Sequence, residues 1–165
     1  MGADVTPMPR KRNADTLVLD DYLPFRLSIA SNGVSGLIAR AYQDRFGLTV
    51  PQWRLMAVLA EAALTPQALV ARTAMDKVTV SRAAHGLVSR NLVERTASPS
   101  DGRSHTLALT DMGRRLHGEI APLALAYEAA LLAGLAPAEV ATLKRLLLRL
   151  ETAAARLSGE PPARV

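Results

Sequence analysis

Leu92-Val93-Glu94-Arg95-Thr96 and Ser104-His105-Thr106-Leu107-Ala108-Leu109 break the helical period of the residues before them and flank Pro99, Asp101 and Gly102. Two β-prone runs around turn-forming residues predict a β-hairpin. Just upstream, the brief turn Ala74-Met75-Asp76 separates two short helical segments. The first starts at Thr65-Pro66, a cap followed by proline, and runs to about Thr73. The second runs from Lys77 to Arg90 behind an Asp76 cap, with Val80, Ala83, Ala84, Leu87 and Val88 as its predicted buried face. A helix-turn-helix leading directly into a hairpin is the order of a winged helix.

Working outward, Thr49-Val50-Pro51-Gln52 has the spacing of a capping box with proline in the first turn. It opens a short apolar helix that contains Trp53, Leu55, Met56, Val58 and Leu59. Before it, residues 17–46 read as one long helix. Its apolar seam is Leu23, Leu27, Ala30, Val34, Leu37 and Ala41, with Pro24 in its first turn or at a kink and Gly47 as its stop. After the hairpin, Thr110-Asp111 caps a helix reaching the low 130s despite Gly113, Gly118 and Pro122. Gly134 and Pro137 separate it from a last helix striped by Val140, Leu143, Leu146, Leu147, Leu150, Ala154 and Leu157. The expected architecture is mainly α: a winged helix-turn-helix over 49–110 between dimerisation helices at 17–46 and 111–157. Together these form one domain, 17–157, with a disordered arm at 1–16 and a loose tail at 158–165. A lone subunit would leave both terminal seams uncovered, so a homodimer is expected.

Composition narrows the function. The 165 residues include 49% hydrophobic and 4% aromatic side chains, enough for a helical core. The absence of cysteine excludes disulfides, thiolate metal sites and thiol-based peroxide sensing for this chain. Twenty basic against fifteen acidic residues give +5, with the largest share, +3, between residues 65 and 119. A mildly basic midsection suits a polyanion. No apolar run approaches the roughly 18 residues of a membrane span, and no signal-like segment opens the chain, so no membrane partner and a cytoplasmic location are expected. His85, His105 and His117 lack tight metal-ligand spacing, and no cofactor is expected. An enzyme fits poorly: Ser104 and His105 adjoin Asp101, but neighbours on a strand point to opposite faces and cannot form a triad.

The segment from Asp101-Gly102-Arg103 through Leu109-Thr110-Asp111-Met112-Gly113-Arg114 resembles the wing of the MarR family of bacterial transcription regulators. Met75-Asp76-Lys77-Val78-Thr79-Val80-Ser81-Arg82 is similar to the start of its recognition helix. Asn91-Leu92-Val93-Glu94-Arg95 resembles the way out of that helix, and Leu48-Thr49 with Gln52-Trp53 the start of the family's second helix. The resemblance spans roughly residues 20–157 in order. The chain departs from the pattern at Ala136, where a Ser or Asp cap is frequent, and at Ala97-Ser98, where a second basic wing residue is frequent. The resemblance implies a sequence-specific, double-stranded-DNA-binding regulator, by family default a repressor, acting as a homodimer on a pseudo-palindrome.

A recognition helix enters the major groove with its N-terminal residues on base edges. Lys77, Thr79, Val80 and Ser81 are therefore candidates for groove contact, Lys77 to guanine acceptors and Val80 to a thymine methyl. Val80 answers equally to a place in the core, and Thr79 and Ser81 to plain polar surface. Arg82, further along, is assigned to phosphate, as are Thr65 and Gln67 at a helix N-terminus. Arg103 at the wing tip has the reach to enter a minor groove, with Asp101 aiming its guanidinium. The resemblance also implies a small aromatic acid effector, for which Arg26 and Ser31 beside the first seam and Trp53 are candidate ligand-binding residues. A surface arginine and a core tryptophan account for them as well. The competing use of such a fold is a winged-helix protein-interaction module with no direct DNA role.

Overall fold

The computed structural model describes residues 17–98 and 101–159, with Ser98 and residues 101–104 by their backbone. The arm expected over 1–16 and residues 160–165 of the tail lie outside the described residues. The chain divides into two compact units, Met1–Leu37 and Ile38–Val165, where the sequence predicts a single domain over 17–157. The cut falls inside the first long helix. Among the described residues, the buried core begins at Tyr42 and lies within the second unit.

In the first unit a single 3₁₀ turn, Leu19–Asp21, precedes α1, Leu23–Phe46. The expected helical start at Leu17 is corrected by Pro24. A helix running through it would press the proline ring against the carbonyl of Asp20, so the α-helix begins one residue before the proline. Tyr22 takes an extended conformation instead.

The second unit holds the end of α1 and then α2 (Val50–Glu61), α3 (Pro66–Thr73), α4 (Lys77–Ser89), β1 (Val93–Ser98), β2 (Asp101–Leu109), α5 (Asp111–Leu132) and α6 (Pro137–Ser158). Each boundary has a local cause. Gly47 ends α1 at φ 61°, in the left-handed region. The guanidinium of Arg90 then spans the freed carbonyls, donating to the oxygens of Gly47 at 2.8 Å and Phe46 at 3.0 Å. The Thr49–Gln52 box closes in both directions at the start of α2. The Thr65 hydroxyl caps α3 through Ala68 N–H, and the Asp76 carboxylate caps α4 through Thr79 N–H. At α6, Ala136 offers no side-chain cap. The Glu139 carboxylate accepts from the Ala136 N–H at 2.7 Å, which supplies half of a capping box at the position where the sequence departs from the family.

The core gathers residues of α2, α3, α4 and the hairpin, with the end of α1 and the middle of α5 at its edge. Leu55, Met56 and Leu59 of α2, Leu69 of α3, and Val80, Ala83, Ala84 and Leu87 of α4 meet Leu92, Val93, Leu107 and Leu109 at the hairpin root, with Tyr42 and Ile120 at its edge. The strands pair antiparallel, Val93 with Leu109 and Arg95 with Leu107, and the register shifts after Ala97. Asp101, Gly102 and Arg103, expected in the connecting loop, are therefore part of β2. Leu64, between α2 and α3, adds a short third rung. Its N–H donates to Leu107 O at 3.0 Å and its carbonyl accepts from Leu107 N–H at 2.8 Å. The Thr110 hydroxyl shuts the hairpin base by donating to the Asn91 carbonyl at 2.7 Å while accepting from Gly113 N–H at 3.0 Å.

Gly113, a blemish in a helix by propensity, is required here. A Cβ at this position would overlap the carbonyl oxygen of Leu92, whereas one on Gly118 would meet nothing within 4 Å. Gly113→Ala is expected to destabilise the fold by about 1–3 kcal/mol. Gly118→Ala is expected to stabilise it by about 0.5–1 kcal/mol through helix propensity. Urea midpoints at one fixed protein concentration check both, and equal shifts in the two variants would contradict the packing described.

Candidate nucleic-acid interface

The turn between α3 and α4 depends on Ala74, which takes the left-handed conformation at φ 51° without being glycine. This places the N-terminus of α4 beside that of α3. Thr65, Pro66, Gln67 and Val70 from the first, Lys77, Val80, Ser81 and Ala84 from the second, and three hairpin residues line a cleft of about 730 Å³. The hairpin residues are Arg95, His105 and Leu107. Four polar candidates from the sequence thus converge there: Thr65, Gln67, Lys77 and Ser81. Gln67, Lys77 and Ser81 are exposed, and Thr65 is half-buried with its oxygen already engaged as a cap.

Two candidates are corrected. Val80 is 2% exposed and belongs to the core, because Ala83, Ala84 and Leu87 share its face of α4. It closes the floor of the cleft and is not presented to a base. Thr79 does not line the cleft. Its hydroxyl donates to Asp76 Oδ2 at 2.6 Å while its N–H donates to Oδ1 at 2.8 Å, so both of its donors serve the helix cap. Those hydrogen bonds, the side-chain one foremost, hold the Asp76 carboxyl below the usual carboxylate range. Arg82 is exposed on the outer face of α4. Asp101 and Arg103 lie on β2 by backbone, and their side chains lie outside what is described.

Sequence reasoning missed Arg95 and His105. The signal was available: residues two apart on a strand share a face, and so do directly paired residues. Val93, Arg95 and Ala97 therefore face the same way as Leu109, Leu107 and His105. This inner face starts apolar at the root and turns basic as the hairpin leaves the core. Among the described residues, the ion pairs engage Arg72 with Glu61, Arg114 with Asp111 and Lys144 with Glu128, leaving Lys77, Arg82 and Arg95 outside them.

The effector candidates do not form one site within either unit. Arg26 and Ser31 are exposed on α1 in the first unit. Trp53, in the second, is half-buried between two rings: His117 stacks on it at 5.5 Å with 17° between planes, and Tyr42 tilts against it at 5.1 Å. Burial, together with Tyr127, raises the Tyr42 hydroxyl above its ordinary pKa. Trp53 thus acts as a packing residue in the described structure.

A sequence profile of the MarR family matches residues 46–104, from the end of α1 to β2. The uncharacterized protein Rv2011c of Mycobacterium tuberculosis is 30% identical over 132 residues, 78% of this chain and 90% of that protein. The crystal structure of a MarR/EmrR family transcriptional regulator from Acinetobacter sp. ADP1 is similar at TM-score 0.80 and 26% identity, covering 85% of this chain and 99% of the other. BpsR of Bordetella bronchiseptica, whose DNA binding is regulated by 6-hydroxynicotinic acid, is similar at TM-score 0.76 and 26% identity over 82% of this chain and 96% of its own.

The Asp76 cap makes a pH-dependent contribution. Because its carboxyl is lowered in the folded state, the contribution is full at pH values above the unfolded group's range and fades as pH falls below about 4. Asp76→Ala is therefore expected to be less stable than the parent chain at pH 7, with the gap narrowing in acid. Urea midpoints across pH 3 to 7 check this, and a gap independent of pH would rule out the ionised cap.

Proposed function

The chain belongs to the MarR family, and from that we propose that it is a sequence-specific DNA-binding transcriptional repressor, acting as a homodimer on a pseudo-palindromic operator and responsive to a small aromatic acid. One observation carries the DNA reading. Thr65, Gln67, Lys77, Ser81, Arg95 and His105 come from two helix N-termini and both wing strands to a single cleft. Helix N-termini and cations together make a seat for phosphate. Ser81 and Lys77 then stand at the base edges, Arg82 on a phosphate further along, and Arg103, aimed by Asp101, in the adjacent minor groove.

The dimer follows from uncovered apolar surface. Among the described residues of α6 none is buried, and Leu143, Leu146, Leu150 and Leu157 are exposed, the last by 90%. On α1, Leu23, Leu27 and Leu37 are exposed as well. A second copy covering these stripes would set two recognition helices about 34 Å apart, one turn of DNA. The effector reading leans on the BpsR likeness and on Arg26 as a carboxylate partner, with Ser31 and Trp53 as the further candidates. A regulator of this kind would act on DNA in the cytoplasm.

Selection of bound genomic fragments should yield a pseudo-palindrome. On it, Lys77→Ala, Arg82→Ala and Arg103→Ala should each weaken binding and lower the slope of log affinity against log salt by about one. Sedimentation should give a dimer at micromolar concentration, and aromatic carboxylic acids should loosen the complex of the parent chain more than that of Arg26→Ala. Selection without any enriched site, with affinity indifferent to salt, would favour a protein-interaction module instead.

A further inference from the structure

Two valines two residues apart on α4 have opposite fates: Val80 is 2% exposed and Val78 is 57% exposed. At about 100° per residue they stand on opposite sides of the helix. Val78 leads the outer stripe, which continues through Ser81, Arg82 and His85, all exposed. It contributes nothing to the core cluster, and as a β-branched residue it is no favourite of a helix. Its place is the first turn of the recognition helix, immediately after Lys77 and one turn before Ser81 and Arg82. The nearby acid, Asp76, directs both carboxylate oxygens at Thr79.

Building on the DNA reading above, we propose that Val78 is a specificity-determining residue that reads the 5-methyl group of a thymine in the major groove. An isopropyl group has no donor or acceptor, so it cannot satisfy the polar edge of any base. The thymine methyl is the one alkyl group that the four unmodified bases present in that groove. Lys77 and Arg82 supply the attraction that brings the helix front down to the bases, where Val78 and the methyl exclude water from one another. The apolar contact first assigned to Val80 from sequence thus passes to the valine that the fold leaves exposed.

The test replaces each thymine of the selected operator by uracil, one position at a time, which removes only the methyl group. Affinities are measured for the parent chain and for Val78→Ala, which suits an exposed helical position and should keep the parent's urea midpoint or exceed it. One thymine in each half-site should lose about fourfold in affinity on conversion to uracil with the parent chain, the effect of one buried methyl. Val78→Ala removes the contact in both half-sites at once, so it should lose about the square of that factor, about sixteenfold, on the thymine operator and show no further loss on uracil. If an operator is selected and binds with normal salt dependence, yet no thymine is sensitive, Val78 reads no methyl group. The same conclusion follows if the sensitivity is equal in both proteins. If no operator is selected, the DNA reading itself falls.

Discussion

Two hydrogen bonds between Leu64 and Leu107 hold the hairpin to the helix-turn-helix. A two-stranded hairpin is marginal in water on its own. Here Leu64 supplies a third rung at the point where the hairpin meets the core, and the backbone that forms it leads straight into the Thr65 cap of α3. One short bridge therefore sets the wing beside the N-termini of both α3 and α4. Were the hairpin to slip by one residue, the face that carries Leu107, Leu109 and Val93 inward would turn to solvent. The cleft, the basic inner face of the wing and the exposure of the front of α4 all depend on that register.

Much of this was readable in the sequence because it is local. Thr49 with Gln52, Thr65 with Pro66, Asp76 and Thr110 each announce a helix start by chemistry that acts within four residues, and each caps where it was expected. What escaped depends on neighbours distant in the chain. Gly113 reads as a weak helix residue until the Leu92 carbonyl is found against it. Arg90 reads as a polar helix end until its guanidinium is seen on the end of α1, over forty residues earlier. Within the site, Val80 and Val78 differ only by rotation about one helix axis. Thr79 reads as a free hydroxyl until its hydrogen is found committed to Asp76.

The basic groups Lys77, Arg82 and Arg95 lie on α4 and β1, and α1 and α6 carry uncovered leucines among their own charged residues. The proposed DNA contact would weaken with salt, because it displaces counterions, while the proposed dimer contact would depend on apolar area and be largely indifferent to salt. Under that proposal assembly and DNA binding would respond separately to conditions.

The hairpin is closed at its root by Thr110, which bridges the Asn91 carbonyl and the start of α5 with one hydroxyl. Among the described residues, the hairpin's share of the buried core is Val93 on β1 and Leu107 and Leu109 on β2. On α4 the inner face is packed against that core, while the outer stripe from Val78 to His85 is exposed and open to exchange without disturbing the packing. A lineage built on this scaffold can change the outside of α4 over generations while its inside stays fixed.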